Sequence, residues 1–150
     1  MSPELVSSPR ILLAESDPGV LRAIETLLIG KNACVVAVDN GADAVREASK
    51  SVFDLCILEM EMPAYGMNGI AVCERLRAMP HTARLPVLFL TKSEDMAAIS
   101  RAFDAGASDF LVKPVIENLL WHRITILLHI AELSREVQGL KDAMSFVDRQ

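Results

Sequence analysis

Leu55-Cys56-Ile57-Leu58-Glu59 is a buried-looking apolar run that ends on one acid, four residues before Pro63. Three other runs have the same form. Ile11-Leu12-Leu13-Ala14 empties into Glu15-Ser16-Asp17-Pro18, Val87-Leu88-Phe89-Leu90 into Thr91, and Phe110-Leu111-Val112 into Lys113-Pro114. Each is strand-like in length and in its β-branched or apolar content. In an open parallel sheet, ligands and chemistry gather beyond the carboxyl ends of the strands. Glu15, Ser16, Glu59, Thr91 and Lys113 are therefore expected to converge. Four runs ending in acid, acid, hydroxyl and amine are much harder to obtain by chance than one.

Between these runs the chain carries helix signals. Asp17-Pro18 is a helix start, an N-cap acceptor followed by proline at the first helical position. Val20, Leu21, Ile24, Leu27 and Leu28 then form an apolar stripe that reaches Gly30, the expected C-terminal cap. Cys34–Val38 reads as a further strand, Asn40 as the cap of a helix to about Lys50, and helices are expected near 70–79 and 95–105. Strand-helix alternation with short links implies parallel crossovers and a three-layer α/β domain. Residues 1–9, with Pro3, Ser7, Ser8 and Pro9, read as a loose leader, 10–128 as the domain, and 129–150 as an extension of its last helix.

The 150 residues suit one domain with room for a core and one appendage. A composition 51% hydrophobic and 23% charged is that of a globular chain. A net charge of -5 without a basic face argues against a nucleic-acid surface, which needs clustered Lys and Arg. No apolar run approaches the ~20 residues of a membrane span, and Met1-Ser2-Pro3-Glu4 lacks a signal-peptide pattern, so a cytoplasmic location is expected. Cys34, Cys56 and Cys73 lack CxxC spacing and read as reduced, buried thiols. His81, His122 and His129 have no acidic partners at metal-ligand spacing.

At the run ends the chain resembles the receiver domain of bacterial two-component response regulators, over about residues 10–128. Glu15, Thr91 and Lys113-Pro114 match that family's pattern, Asp104-Ala105-Gly106-Ala107-Ser108-Asp109-Phe110 resembles its approach to the last strand, and Met62-Pro63 with Asn68-Gly69 resembles its loop after the third. That loop carries about two extra residues around Ala64-Tyr65-Gly66. The resemblance implies a doubly wound, five-stranded parallel sheet of the flavodoxin-like kind. It also implies a phosphoacceptor aspartate where Glu59 stands, a second acid where Ser16 stands, and a switch aromatic at Phe110. The run Leu119-Leu120-Trp121-His122-Arg123 is similar to receivers that precede diguanylate cyclase domains.

The two departures carry the functional question. Phosphoryl transfer to a carboxylate needs a placed oxygen, a divalent cation and donors for the phosphoryl oxygens. Thr91 and Lys113 are the candidate donors. Ser16 removes a charge from the metal cage, and Glu59 moves its carboxylate by more than about 1 Å, a displacement that can cost on the order of 100-fold in rate. No resident metal is expected; a residual, weak Mg²⁺ site would use Glu15, Glu59 and Glu61. Asp17, also in the acidic pocket, reads as a helix cap before it reads as a substitute ligand. Three readings of the pocket stay open: a disused site in which Glu59 pairs with Lys113, an on-like state in which the longer arm reaches Thr91 and Lys113, and residual phosphorylation.

The C-terminal segment is the other functional feature. From Ile116 to Gln150 there is no proline and only Gly139 as a weak point, which implies a helix of about 50 Å. Ile126, Ile130, Leu133, Val137, Leu140, Met144 and Val147 recur at heptad spacing, a dimer seam, with Arg135, Glu136, Lys141 and Asp142 flanking it. Leu119, Leu120, Leu127 and Leu128 are expected to dock the first turns on the domain. The two function classes are a non-enzymatic, non-phosphorylatable signalling module acting by homodimerisation and protein interaction, and a receiver that takes phosphate from a histidine kinase. The first is the preferred expectation. A nucleotide- or flavin-binding domain is disfavoured, since no G-x-G-x-x-G follows the first strand.

Overall fold

In the structure, a computed structural model describing residues 8–63 and 67–148, the apolar runs become strands and the stretches between them helices. The order is β1 (Arg10–Ala14), α1 (Pro18–Gly30), β2 (Cys34–Val38), α2 (Gly41–Lys50), β3 (Leu55–Glu59), α3 (Gly69–Ala78), β4 (Val87–Thr91), α4 (Met96–Asp104), β5 (Asp109–Val112) and α5 (Glu117–Asp148). Most of the expected leader and the inserted Ala64-Tyr65-Gly66 lie outside the described residues. The strands form one sheet of order β2-β1-β3-β4-β5, all parallel. The fold is the expected doubly wound, flavodoxin-like parallel sheet. Because the chain runs outward from β1 to β2 and then crosses back to β3, the strand order reverses between β1 and β3, where a crevice opens beyond the strand ends.

Register brings the strand ends level. Ala14 pairs with Leu58, Glu59 with Leu90, and Thr91 with Val112, so the residues that follow these positions emerge on one edge. Side chains alternate across the sheet and build two cores. Leu12, Cys56, Leu58 and Phe89 meet α2, α3 and α4, while Leu13, Ile57, Leu88 and Leu90 meet α1 and α5. Burial on both faces explains why the strands read as continuous apolar runs. The helices are anchored unequally: α5 sends Leu120, Ile124, Leu127 and Leu128 into the core, whereas the buried residues of α4 are Ala98 and Ala102.

Three expectations change. Gly30 is the last helical residue of α1 and not its cap; Lys31 occupies the cap, and Asn32 takes the left-handed turn at φ 64°. Asparagine tolerates that conformation because its short side chain bonds locally. Cys34 is exposed, since β2 is the edge strand, while Cys56 and Cys73 are buried, free thiols. Leu119 is exposed, and Ile124 fills the core position in its stead. Among the described residues no helix is long and apolar enough to cross a membrane.

Gly69 packs its α-carbon against the end of β3. A Cβ there would collide with the Glu59 carbonyl oxygen and lie 2.8 Å from Met60 Cα and 2.9 Å from the Phe89 ring. Backbone at the end of a central strand cannot retreat, so Gly69→Ala is expected to destabilise the fold by about 2 kcal/mol. Gly30→Ala meets open space and should be neutral or stabilising by about 0.5 kcal/mol. Urea denaturation midpoints of the two variants provide the check.

Candidate functional site

Five residues converge where the topology reverses. Glu15 follows β1, Glu59 ends β3, Thr91 ends β4 and Lys113 follows β5; all three of Glu15, Glu59 and Thr91 are buried, with at most 2% of their surface exposed. Such burial demands partners for the two carboxylates. Lys113 supplies them: its Nζ contacts Glu15 Oε1 and lies 2.8 Å from Glu59 Oε2. Among the described residues Glu15 Oε1 has no other partner. Ser16 closes the remaining side, donating from its amide to Glu15 Oε2 and, at 3.0 Å, to Glu59 Oε1. The Ser16 hydroxyl donates to the same Glu59 oxygen. Both oxygens of Glu59 are thus engaged.

Thr91 is not part of that unit. The extra methylene of Glu59 carries its carboxylate to Lys113 and Ser16, and the expected reach toward Thr91 is corrected: Thr91 Oγ1 donates to Glu61 Oε1, which also accepts from the Lys92 amide at 3.0 Å. Asp17 is outside the pocket as well. Its Oδ1 accepts from Gly19 N at 2.9 Å and Val20 N at 3.2 Å, which makes it the N-cap of α1. Phe110 is half-buried with its ring edge-on to Phe103 at 5.8 Å. His81 bonds the Ala48 carbonyl at 2.9 Å, a structural tie, and His122 and His129 are exposed.

The charges of the unit act on one another. Burial raises the Glu15 carboxyl to about 7, the hydrogen bond with Glu59 adds to that, and Lys113 opposes it. Burial pushes Glu59 up too, but hydrogen bonds from Glu15, Lys113 and Ser16 outweigh it and hold Glu59 at about 2. Burial disfavours the Lys113 charge, yet the two glutamates outweigh it and keep the ammonium protonated beyond the ordinary lysine range. At neutral pH the unit is therefore an ionised Glu59, an ammonium, and a Glu15 that shares a proton. A divalent ion takes carboxylate and other oxygens with net negative charge around it. Here the carboxylates of Glu15 and Glu59 face an ammonium and that of Glu61 holds Thr91, so the donor set in this arrangement does not fit Mg²⁺.

Stability should follow these shifts. Glu59 titrates lower in the folded chain than its ordinary 4.5, so its contribution is present above 4.5 and lost as pH falls toward 2. Glu15 titrates higher, so its contribution is full below 4.5 and lost as pH rises through about 7. Unfolding free energy is therefore expected to decline between about pH 5 and about pH 8, and Glu15→Gln should flatten that decline. Urea titrations of both chains across this range measure the difference; an equal slope in the variant would remove Glu15 as the cause.

This arrangement has relatives. The family model for the response regulator receiver domain matches residues 11–125. Response regulator PleD of Caulobacter vibrioides is 32% identical over 137 residues, which cover 88% of this chain and 30% of PleD's length. Among solved structures, the receiver domain of a sensor histidine kinase from Pseudomonas aeruginosa PAO1, with a magnesium ion coordinated in its active site cleft, is 25% identical with a TM-score of 0.76, over 82% of this chain and 99% of that one. The signal receiver domain of a modulated diguanylate cyclase from Desulfovibrio desulfuricans G20 is 26% identical with a TM-score of 0.75, over 85% and 99% of the two chains. With a parallel sheet of order β2-β1-β3-β4-β5 and an acid, a hydroxyl and a lysine at the ends of its strands, the chain belongs to the response regulator receiver domain family of phosphorelay signalling.

Proposed function

We propose that this receiver signals without phosphoryl chemistry, as a module held in one charge state by Glu59, Lys113 and Ser16, and that it acts through pairing of two copies along α5. The observation that supports this most directly is the full engagement of Glu59: Oε1 takes both donors of Ser16 and Oε2 takes Lys113. A carboxylate acting as a nucleophile must present a lone pair in line with the phosphorus. A group held at about 2 by hydrogen bonds is a weak base, and freeing it means breaking a buried ion pair. On this reading the chain is not an enzyme and needs no cofactor, and its partners are a second copy of itself and the signalling proteins, histidine kinases among them, that receivers generally meet.

An alternative is a receiver with weak Mg²⁺-dependent phosphorylation that regulates an output domain such as a diguanylate cyclase; the likeness to the diguanylate cyclase receiver favours it. One experiment decides. With acetyl phosphate or beryllofluoride and Mg²⁺, intact mass and fluorescence of Trp121 should show neither modification nor binding, while Ser16→Asp with Glu59→Asp should restore both. Glu59→Asp alone should restore little, since acceptor position and metal charge act as one unit. A carboxyl-phosphate adduct on the unchanged chain would establish the alternative.

The pairing reading rests on α5. At 32 residues it is about 48 Å long and continues well past its buried turns. Ile126, Ile130, Leu133, Val137, Leu140, Met144 and Val147 are between 40% and 68% exposed, an apolar seam left in water on one copy. Spacing assigns Ile130, Val137 and Met144 to a and Ile126, Leu133, Leu140 and Val147 to d. β-Branched a residues with leucine at d favour two parallel strands. Parallel pairing also sets Glu136 at g against Lys141 at e of the second copy, which an antiparallel pair cannot do; Arg135 and Asp142 fall at f and point outward. The charge pair sets direction and adds little affinity. Leu133→Asp with Leu140→Asp should convert a dimer to a folded monomer by light scattering; an unchanged dimer would place the interface on the receiver faces.

A further inference from the structure

Thr91, Ser93 and Asp95 lead from the buried end of β4 into α4, and their side chains form a ladder. Thr91 Oγ1 accepts from Ser93 N at 3.0 Å, Ser93 Oγ from Asp95 N at 3.0 Å, and Asp95 Oδ1 from Ala97 N at 3.1 Å. Each rung spans two residues, so the connection is built as successive side-chain turns that end in the helix cap. The upper end of the ladder is tied to a different loop. Glu61, two residues beyond β3, accepts from the Thr91 hydroxyl and from the Lys92 amide with the same oxygen.

The tie matters because α4 has little else to hold it. Its buried residues are two alanines, and Met96 at its start is 72% exposed. An element with few buried apolar contacts belongs to the low-stability end of a fold, and its placement is decided by its connections. A hydrogen bond to a carboxylate is stronger than a neutral one, and Glu61 is the carboxylate that ties this connection to another loop. Glu59, by contrast, sends both oxygens toward Lys113 and Ser16 and none to Thr91.

We propose that Glu61 is the positioning residue of the α4 face: it latches the β4–α4 connection to the β3–α3 loop and fixes α4, with its Phe103–Phe110 contact, independently of residue 59. The latch divides between two glutamates what a single acceptor would otherwise gather, with Lys113 held by Glu59 and Thr91 held by Glu61. It does not depend on whether the chain accepts a phosphoryl group.

Amide hydrogen exchange on the full chain tests this. In Glu61→Ala, exchange of the Lys92–Asp104 amides should accelerate by at least about tenfold, the effect of losing a charged acceptor that holds both the Thr91 hydroxyl and the Lys92 amide, with the β1 and β3 amides unchanged. Thr91→Val should loosen the same amides although it leaves the Lys92 amide on Glu61, Thr91→Ser should retain wild-type protection, and Glu61→Ala with Thr91→Val should fall short of the sum of the two, because the Thr91–Glu61 bond is lost in both. Glu59→Gln should leave these amides unaltered. Unchanged exchange in Glu61→Ala, additive effects in the double variant, loss of protection in Thr91→Ser, or equal loosening in Glu59→Gln would each overturn the latch.

Discussion

One ammonium between two buried carboxylates governs this molecule. Lys113 reaches back from the end of β5 to acids on β1 and β3, so a single side chain ties the outer strand to the two strands at the topological reversal. Removing it would leave two buried acids without their cation, a loss of ~3–5 kcal/mol on the scale of broken buried pairs. The same contact shapes the chemistry. With the lysine between them, the two glutamates divide one proton unequally, and an oxygen of the residue at the family's phosphoacceptor position is held by Lys113.

Residue 16 completes this substitution. An acid there would add another negative charge beside one ammonium, whereas serine adds a hydroxyl that joins the backbone amide in donating to one Glu59 oxygen. Ser16 and Glu59 therefore make physical sense together: the longer acid needs a donor at its near oxygen, and the hydroxyl needs an acceptor at that distance.

Much of this could be read from the chain itself, for reasons particular to parallel sheets. Strands covered on both faces must be apolar throughout, so the first polar residue after each run marks the carboxyl edge, and that pattern alone brings Glu15, Glu59, Thr91 and Lys113 to one edge. What escaped the reading were choices made by side-chain reach. Glu59 and Glu61 are both acids near Thr91, and only the course of the loop after β3 decides that Glu61 takes the hydroxyl. Leu119 and Ile124 are both apolar, but at 100° per residue Ile124 falls on the stripe of Leu120, Leu127 and Leu128 and Leu119 does not. Cys34 lies in an apolar run, but its strand sits at the edge. The Thr91, Ser93, Asp95 alternation was visible as hydroxyl, hydroxyl, acid at every second position, a pattern that period-two strand reasoning passes over because it lies just past a strand.

The unbroken course of α5 has a geometric consequence. At 100° per residue, the stripe that enters the core, centred on Leu120, Ile124, Leu127 and Leu128, and the stripe from Ile126 to Val147 point about 150° apart around the helix. A second copy seated on the outer stripe therefore lies on the far side of the rod from the sheet. The two globular bodies would flank the paired helices on opposite sides, and the α4 face of each would remain open to solvent. If two copies pair in this way, assembly would use a surface separate from α4, and a protein docking on α4 would not compete with it.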